Sequence, residues 1–234
     1  MENLERVAED CCAQGLPRDK VLVVPGDVTV EKDIAEVVQK TAKHFGQIDI
    51  LVNNAGIPML GCIQSASMED FNRVWRTNFL GPLCMIKNAV PYLRLTKGSI
   101  VNVSSVAGLT AILKNVPYAV AKAALDHLTR CAALENAPYG VRVNSINPAY
   151  IKTTMGKAPT VSVEEHMEMM EKNASALHAL ARVAAPEEVA HCIAFLASDD
   201  AAFVTGTTMP FDGGMLLLST VSDSPRVFDD KKST

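Results

Sequence analysis

No stretch of the 234-residue sequence reaches the roughly 18 apolar residues of a membrane span. The first ten residues, MENLERVAED, are charged and carry no apolar core of a secretory signal. There is no C-x-x-C pair among the six cysteines, at positions 11, 12, 62, 84, 131 and 192. A zinc site or a disulfide framework is thereby disfavoured, and a reducing, cytoplasmic setting is the expectation. His127, His166, His178 and His191 are not spaced as metal ligands, so no metal is expected either. Positive charge is not clustered: Lys and Arg total 22 against 26 Asp and Glu, and the longest basic run is Lys231–Lys232. Non-specific phosphate binding needs a clustered basic face, so no affinity for nucleic acid is expected. Aromatic residues are scarce, at 5%, yet a hydrophobic content of 48% is that of an ordinary globular chain. None of the 13 glycines forms G-x-x-x-G-x-G or G-x-G-x-x-G. The sequence therefore holds no glycine-rich turn of the kind that cradles a pyrophosphate at a helix N-terminus.

What is present alternates between two periods. Leu4, Val7, Ala8 and Cys11 recur at helical spacing. Val21–Val24 is a short apolar run bounded by Pro25-Gly26 and reads as a buried strand. Ile34, Val37, Val38, Thr41 and Phe45 mark a helix stopped by Gly46. Ile48 to Val52 reads as a second strand, ending in Asn53-Asn54-Ala55-Gly56. Ser67-x-x-Asp70 has the form of a capping box and opens a long helix toward Pro91, with Gly81-Pro82 expected to bend it. Ser99–Val103 reads as a third strand, Pro117–Leu134 as a helix and Val141–Ile146 as a fourth strand. A Met-rich helix follows an irregular stretch, and Pro186-Glu187-Glu188 suits the first turn of another. Thr207–Phe211 is the last strand, before Asp212-Gly213-Gly214. This alternation predicts an α/β fold, a doubly wound parallel sheet with helices on both faces. Residues 1–218 read as one domain and 219–234 as a polar, frayed tail.

Tyr118 and Lys122 are four residues apart on one helix and share a face. A phenol is a poor base at neutral pH, and an adjacent ammonium favours its ionised form. The pair is therefore a candidate proton donor and acceptor. The bland alternative is a helix-face pair with a solvated lysine, which chance supplies often. Position argues against it. In a parallel α/β sheet the ligand crevice lies at the carboxyl ends of the strands. Asn53 to Gly56, Ser104-Ser105 and Pro148 to Thr153 each follow a strand, so three strand ends converge on the Tyr/Lys helix.

Taken together, Gly26-Asp27-Val28-Thr29, Asn53-Asn54-Ala55-Gly56, Thr77-Asn78-Phe79-Leu80-Gly81, Asn102-Val103-Ser104-Ser105, Tyr118-x-x-x-Lys122, Asn147-Pro148-Ala149-Tyr150-Ile151-Lys152-Thr153 and Thr205-Gly206 with Asp212-Gly213-Gly214 resemble the short-chain dehydrogenase/reductase family. The likeness is to its subgroup of acyl-carrier-protein ketoreductases. The resemblance implies a Rossmann-like fold and NAD(P)-dependent interconversion of a carbonyl and a secondary alcohol. It implies Tyr118 as general acid or base, Lys122 lowering the phenol's pKa and holding the nicotinamide ribose, and Ser105 bonding the substrate oxygen. Asn78 would fix a water behind Lys122. Asp27 and Val28 would meet the adenine, Asn54, Ala55 and Gly56 the adenosine ribose, and Ile151 and Thr153 the carboxamide of NAD or NADP. A homo-oligomer is implied as well.

Two departures qualify it. Ala149 stands where the family usually has Gly, which is tolerable if the backbone there is not at positive φ. The family's first β-α-β unit, with its glycine-rich turn, has no counterpart, so the chain reads as an N-terminally truncated member. Residues 1–46 are then expected to be displaced or poorly packed, and dinucleotide binding to be impaired. The competing functional reading is a catalytically inactive form acting as an oligomerisation or regulatory partner. For the substrate, Met155, Met167, Met169 and Met170 suggest an apolar ketone, acyl thioester or steroid-like molecule, with ordinary helix packing as the alternative.

Overall fold

The computed structural model describes residues 2–218; the expected polar tail, 219–234, lies outside the described residues. Four parallel strands form one sheet in the order β1 (Ile50–Asn53), β2 (Ser99–Val103), β3 (Arg142–Pro148) and β4 (Thr208–Phe211). Ile50 lies opposite Ser99, Ser99 opposite Arg142, and Ser145 opposite Thr208. Parallel neighbours require a crossover. Helices α3 (Met68–Trp75) and α4 (Gly81–Thr96) carry the first, α5 (Val116–Asn136) the second, and α6 (Val163–Leu177) and α7 (Pro186–Ala197) the third. Before the sheet come α1 (Glu2–Ala13) and α2 (Glu31–Phe45).

Alternate residues of a strand face opposite sides, and the central strands are apolar on both. Leu51, Ile100 and Val143 face Val38 of α2, Leu93 of α4 and Ala132 of α5 in the larger core. Val101 and Ile146 point the other way, onto Val189 and Leu196 of α7. Burying each such side chain contributes about 1.5–3 kcal/mol relative to leaving it in water.

The long helix begins as its sequence indicates. The Ser67 hydroxyl accepts from the Asp70 N–H at 3.0 Å. The Asp70 carboxylate accepts the Ser67 hydroxyl instead of the main-chain N–H, so the cap is one-sided rather than a full box. The irregularity expected at Gly81-Pro82 is a π-helical turn just before it, Arg76–Leu80. Pro82 has no N–H to offer the carbonyl four residues earlier. The widened turn carries the fully buried Asn78, and such turns often sit at functional sites.

Two expectations fail at the start of the chain. Val21–Val24 is half-buried but joins no ladder, because a strand is held by its neighbour's N–H and C=O groups, and the four-stranded sheet pairs none with it. Residues 26–46 are nevertheless docked rather than displaced. Helix α2 lies along α4 and buries Ile34 and Val38. Val28 rests on Gly81, where an added Cβ would lie 2.9 Å from the Val28 carbonyl oxygen. Only glycine admits that approach. Helix α1 is held less firmly, with Ala8 its only buried residue.

Candidate active site

The carboxyl ends of β1, β2 and β3 place their following residues along one edge of the sheet, and α5 lies beneath that edge. Asn53 and Asn102 bond side chain to side chain at 2.8 Å, and Asn102 donates to Thr129 of α5 at 2.9 Å. These buried bonds tie two strand ends to the helix that carries Tyr118 and Lys122.

Lys122 is buried, at 4% exposure. Its ammonium donates to the Val103 carbonyl at 2.8 Å and lies 5.5 Å from the centre of the Tyr118 ring. Burial lowers its pKa to about 8, opposed by the charge of Asp126. A solvated helix-face lysine is thereby excluded. A Cβ on Gly56 would lie 3.4 Å from Asn78 Oδ1 and 3.6 Å from Lys122 Nζ, so Gly56, Asn78 and Lys122 meet in one small space. Asn78 clamps the loop after β1 from both sides. Its oxygen accepts from the Ile57 N–H and its amide donates to the Ile57 carbonyl, each at 2.9 Å.

Ser105 follows β2 and opens a short turn, Val106–Gly108. Its hydroxyl accepts from the Ala107 N–H at 3.1 Å and lies 3.4 Å from the Pro148 carbonyl. It also stands close enough to the Tyr118 phenol to favour its ionised form. Burial raises the phenol's pKa, and the nearby Ser105 hydroxyl only partly reverses this. The expectation that Lys122 depresses the phenol is therefore corrected. The ammonium is spent on Val103 instead, and burial dominates at the ring. A phenol held above its ordinary pKa is neutral at pH 7 and suited to giving a proton.

The remaining residues divide. Ile151 and Thr153 follow β3. Ile151 packs into the smaller core and bridges to Ala184, and Thr153 Oγ1 accepts from the Met155 N–H at 3.3 Å. Ala149 is not at positive φ, so its methyl is accommodated. Asn54 and Ala55 are exposed beyond β1. Asp27 is exposed as well, and its carboxylate accepts from the Thr29 N–H at 2.8 Å, which lowers its pKa. Val28 rests on Gly81 and the Asp27 N–H donates to the Asp33 carboxylate at 2.9 Å; no hydrogen bond joins either residue to Ser105, Tyr118 or Lys122 among the described residues. A separate hollow of about 180 Å³, lined among others by Tyr150, His178, Arg182, Glu188 and Asp212, does not include Tyr118 or Lys122.

Residue-by-residue reading missed Asp126, buried to 2% one turn beyond Lys122. The available signal was an acid set within the apolar stripe Ala121, Leu125, Ala132. An acid on such a stripe must be paired inside the fold.

A family model described as "Enoyl-(Acyl carrier protein) reductase" matches residues 2–216. Meso-2,3-butanediol dehydrogenase of Serratia marcescens is 38% identical over 216 residues, covering 92% of this chain and 82% of that protein. The chain belongs to the short-chain dehydrogenase/reductase family. Another family member, the 3-oxoacyl-[acyl-carrier-protein] reductase FabG of Thermotoga maritima, is 37% identical, covering 92% of this chain and 84% of that protein. Among solved structures, a short-chain dehydrogenase/reductase of Caenorhabditis elegans, determined with cofactor, superposes with a TM-score of 0.87 at 32% identity. That match covers 94% of this chain and 84% of the other. ElxO with NADP bound has a TM-score of 0.74 at 34% identity, covering 82% and 77% of the two chains. By family the chain is an oxidoreductase of the class acting on CH–OH groups.

Proposed function

We propose that the chain interconverts a carbonyl and a secondary alcohol with NAD or NADP, using Tyr118, Lys122, Ser105 and Asn78. The observation that carries this reading is the buried Lys122 ammonium 5.5 Å from the centre of the Tyr118 ring, with the Ser105 hydroxyl beside the phenol at the strand ends. The residues present suit the nicotinamide-ribose half of a dinucleotide. Lys122 has three N–H donors and one protein acceptor, Val103. The glycine at position 56 leaves open the space a Cβ would occupy beside it. When bound, the nicotinamide ring supplies or takes the hydride. The protein's part is proton handling and orientation. The Ser105 hydroxyl donates to the carbonyl oxygen and sets it beside Tyr118. The phenol would give its proton to that oxygen, which ends as the hydroxyl of the alcohol. Lys122 would hold ribose hydroxyls with the N–H donors that Val103 leaves free. Asn78 keeps the β1 loop, and hence Gly56, against Lys122. Ile151 and Thr153 would orient the carboxamide, and Asn54 and Ala55 would meet the adenosine ribose.

The phosphate half has less support, since the sequence offers no glycine-rich turn. Dinucleotide affinity of the 234-residue chain is expected to be weak, beyond the micromolar range. For substrate we favour a small, partly apolar ketone. Met155 is 49% exposed just after Thr153, and Met169 is 52% exposed on α6. Methionine lines adaptable apolar surfaces.

The test is titration with NADH and NADPH by fluorescence, followed by reduction of a ketone series at millimolar nucleotide. Tyr118→Phe is expected to bind nucleotide as the parent does and to lose turnover. Equal turnover in the variant removes Tyr118 from the chemistry.

A further inference from the structure

We propose that Asp126 is a positioning residue of this site, the buried counter-charge of Lys122 and, through Asn147, the anchor of the Ser105 main chain. The proposal rests on the reading of Ser105, Tyr118 and Lys122 given above. Asp126 lies one helical turn beyond Lys122, so the two side chains share a face of α5. Both are almost fully buried, at 2% and 4% exposure.

The carboxylate is well satisfied. Asn147 Nδ2 donates to Asp126 Oδ1 at 3.0 Å and to Oδ2 at 2.9 Å, and the Ser145 hydroxyl donates to Oδ1 at 3.1 Å. The same Asn147 amide donates to the Ser105 carbonyl at 3.0 Å. One carboxylate thus holds the asparagine that holds Ser105. The Val106–Gly108 turn closes over the same spot. A Cβ on Gly108 would fall 2.4 Å from Asp126 Oδ2 and 2.9 Å from the Lys122 carbonyl carbon. The turn that aims Ser105 is therefore laid directly on the carboxylate and on the backbone of Lys122.

Such burial needs a reason. An isolated buried carboxylate is costly, and removing one partner of a buried pair leaves the other charge uncompensated. The charged groups acting here are few. Asp126 is the one charge that raises the pKa of Lys122, against a larger lowering by burial. Burial raises the pKa of Asp126, and Ser104, Asn147, Ser145 and the Arg130 charge oppose it. Ser104, Ser145 and Asn147 are neutral, so from the turn after β2 and from β3 the carboxylate is met only by hydrogen bonds. Asp126 thereby keeps Lys122 in its ammonium form near neutral pH.

The test reads Lys122 itself, by NMR of protein labelled with ¹³C and ¹⁵N at the lysine side chains, with Lys122→Met to assign the signal. In the parent chain the midpoint is expected near the value set by burial and Asp126, about 8. In Asp126→Asn it is expected to move clearly lower, and Asp126→Glu, which keeps the charge, should restore it in part. An unchanged midpoint in folded Asp126→Asn overturns the proposal. Should Asp126→Asn fail to fold, the parent chain decides. In protein labelled with ¹³C at the aspartate side chains as well, the Asp126 carboxyl shift is expected to step as Lys122 titrates and to lose that step in Lys122→Met; a flat Asp126 signal overturns the proposal. These readouts need neither nucleotide nor turnover. A Lys122 shift in a protein that reduces no ketone therefore removes the functional reading while supporting the pairing.

Discussion

Val52 and Val101 are register partners on adjacent parallel strands, yet Val52 is 40% exposed and Val101 not at all. The two regions they belong to differ in what covers them. Around β2, helices lie on both faces, strands on both sides, and the side chains of Asn102, Ser104 and Ser105 at the strand end are all hydrogen-bonded. On β1 only the Leu51 face is covered; Ile50, at 50% exposure, and Val52 face the side where α7 does not reach, and one ladder edge is unpaired. An apolar side chain is worth little until something covers it. The same residue type is thus core in one strand and solvent-facing surface in the next. The candidate active site grows from the covered region, where buried charge can be held at fixed geometry.

The largest expected effect is at the site. Tyr118→Phe should lower ketone reduction by about 10²–10⁴-fold, the usual worth of a positioned proton donor, with the melting temperature little changed; steady-state rates at fixed nucleotide check it. In the covered sheet, Ile100→Ala should destabilise by about 2–5 kcal/mol, as large-to-small core changes do. Denaturant unfolding measures this, and a loss below 1 kcal/mol would erase the contrast between the two regions. Gly81→Ala should force Val28 away and destabilise by about 1–3 kcal/mol, as overpacking does. Hydrogen exchange should then show loss of protection in α2 before the sheet.

A pH experiment sharpens the account of buried charge. Lys122 has a folded pKa of about 8 against an ordinary 10.5. Between those values the unfolded chain binds more protons than the folded one, so this group's contribution to stability rises with pH across that window. Below about pH 8 its burial is fully unfavourable. Unfolding curves of the parent and Lys122→Met should converge as pH climbs toward 10.5, with the parent gaining relative to the variant. The smallest effect is at the bare edge, where Ile50→Ala should change stability by no more than about 0.5 kcal/mol.

Much of the architecture was legible. Apolar patterning located α2, α5 and strands β2, β3 and β4 to within a few residues, because each of these segments carries its own apolar face, and Pro186-Glu187-Glu188 marked the first turn of α7. Val21–Val24 carried the same kind of signal and joined no sheet, since a ladder belongs to two chains of residues and a sequence run describes only one. The order of Asn78, Ser105, Tyr118 and Lys122 marked the candidate site through family likeness, whereas the Tyr118–Lys122 spacing alone left a solvated helix-face lysine as the alternative.

The sequence by itself determined the alternation of strand and helix, the strand-end placement of Ser105 and the shared helix face of Tyr118 and Lys122, all of them consequences of local spacing. Only the tertiary structure decided that Lys122 is buried and spent on Val103, that burial lifts the Tyr118 phenol, and that Asp126 lies under both Ser105 and Lys122. Those depend on desolvation and on partners far apart in the chain, and no periodicity encodes either.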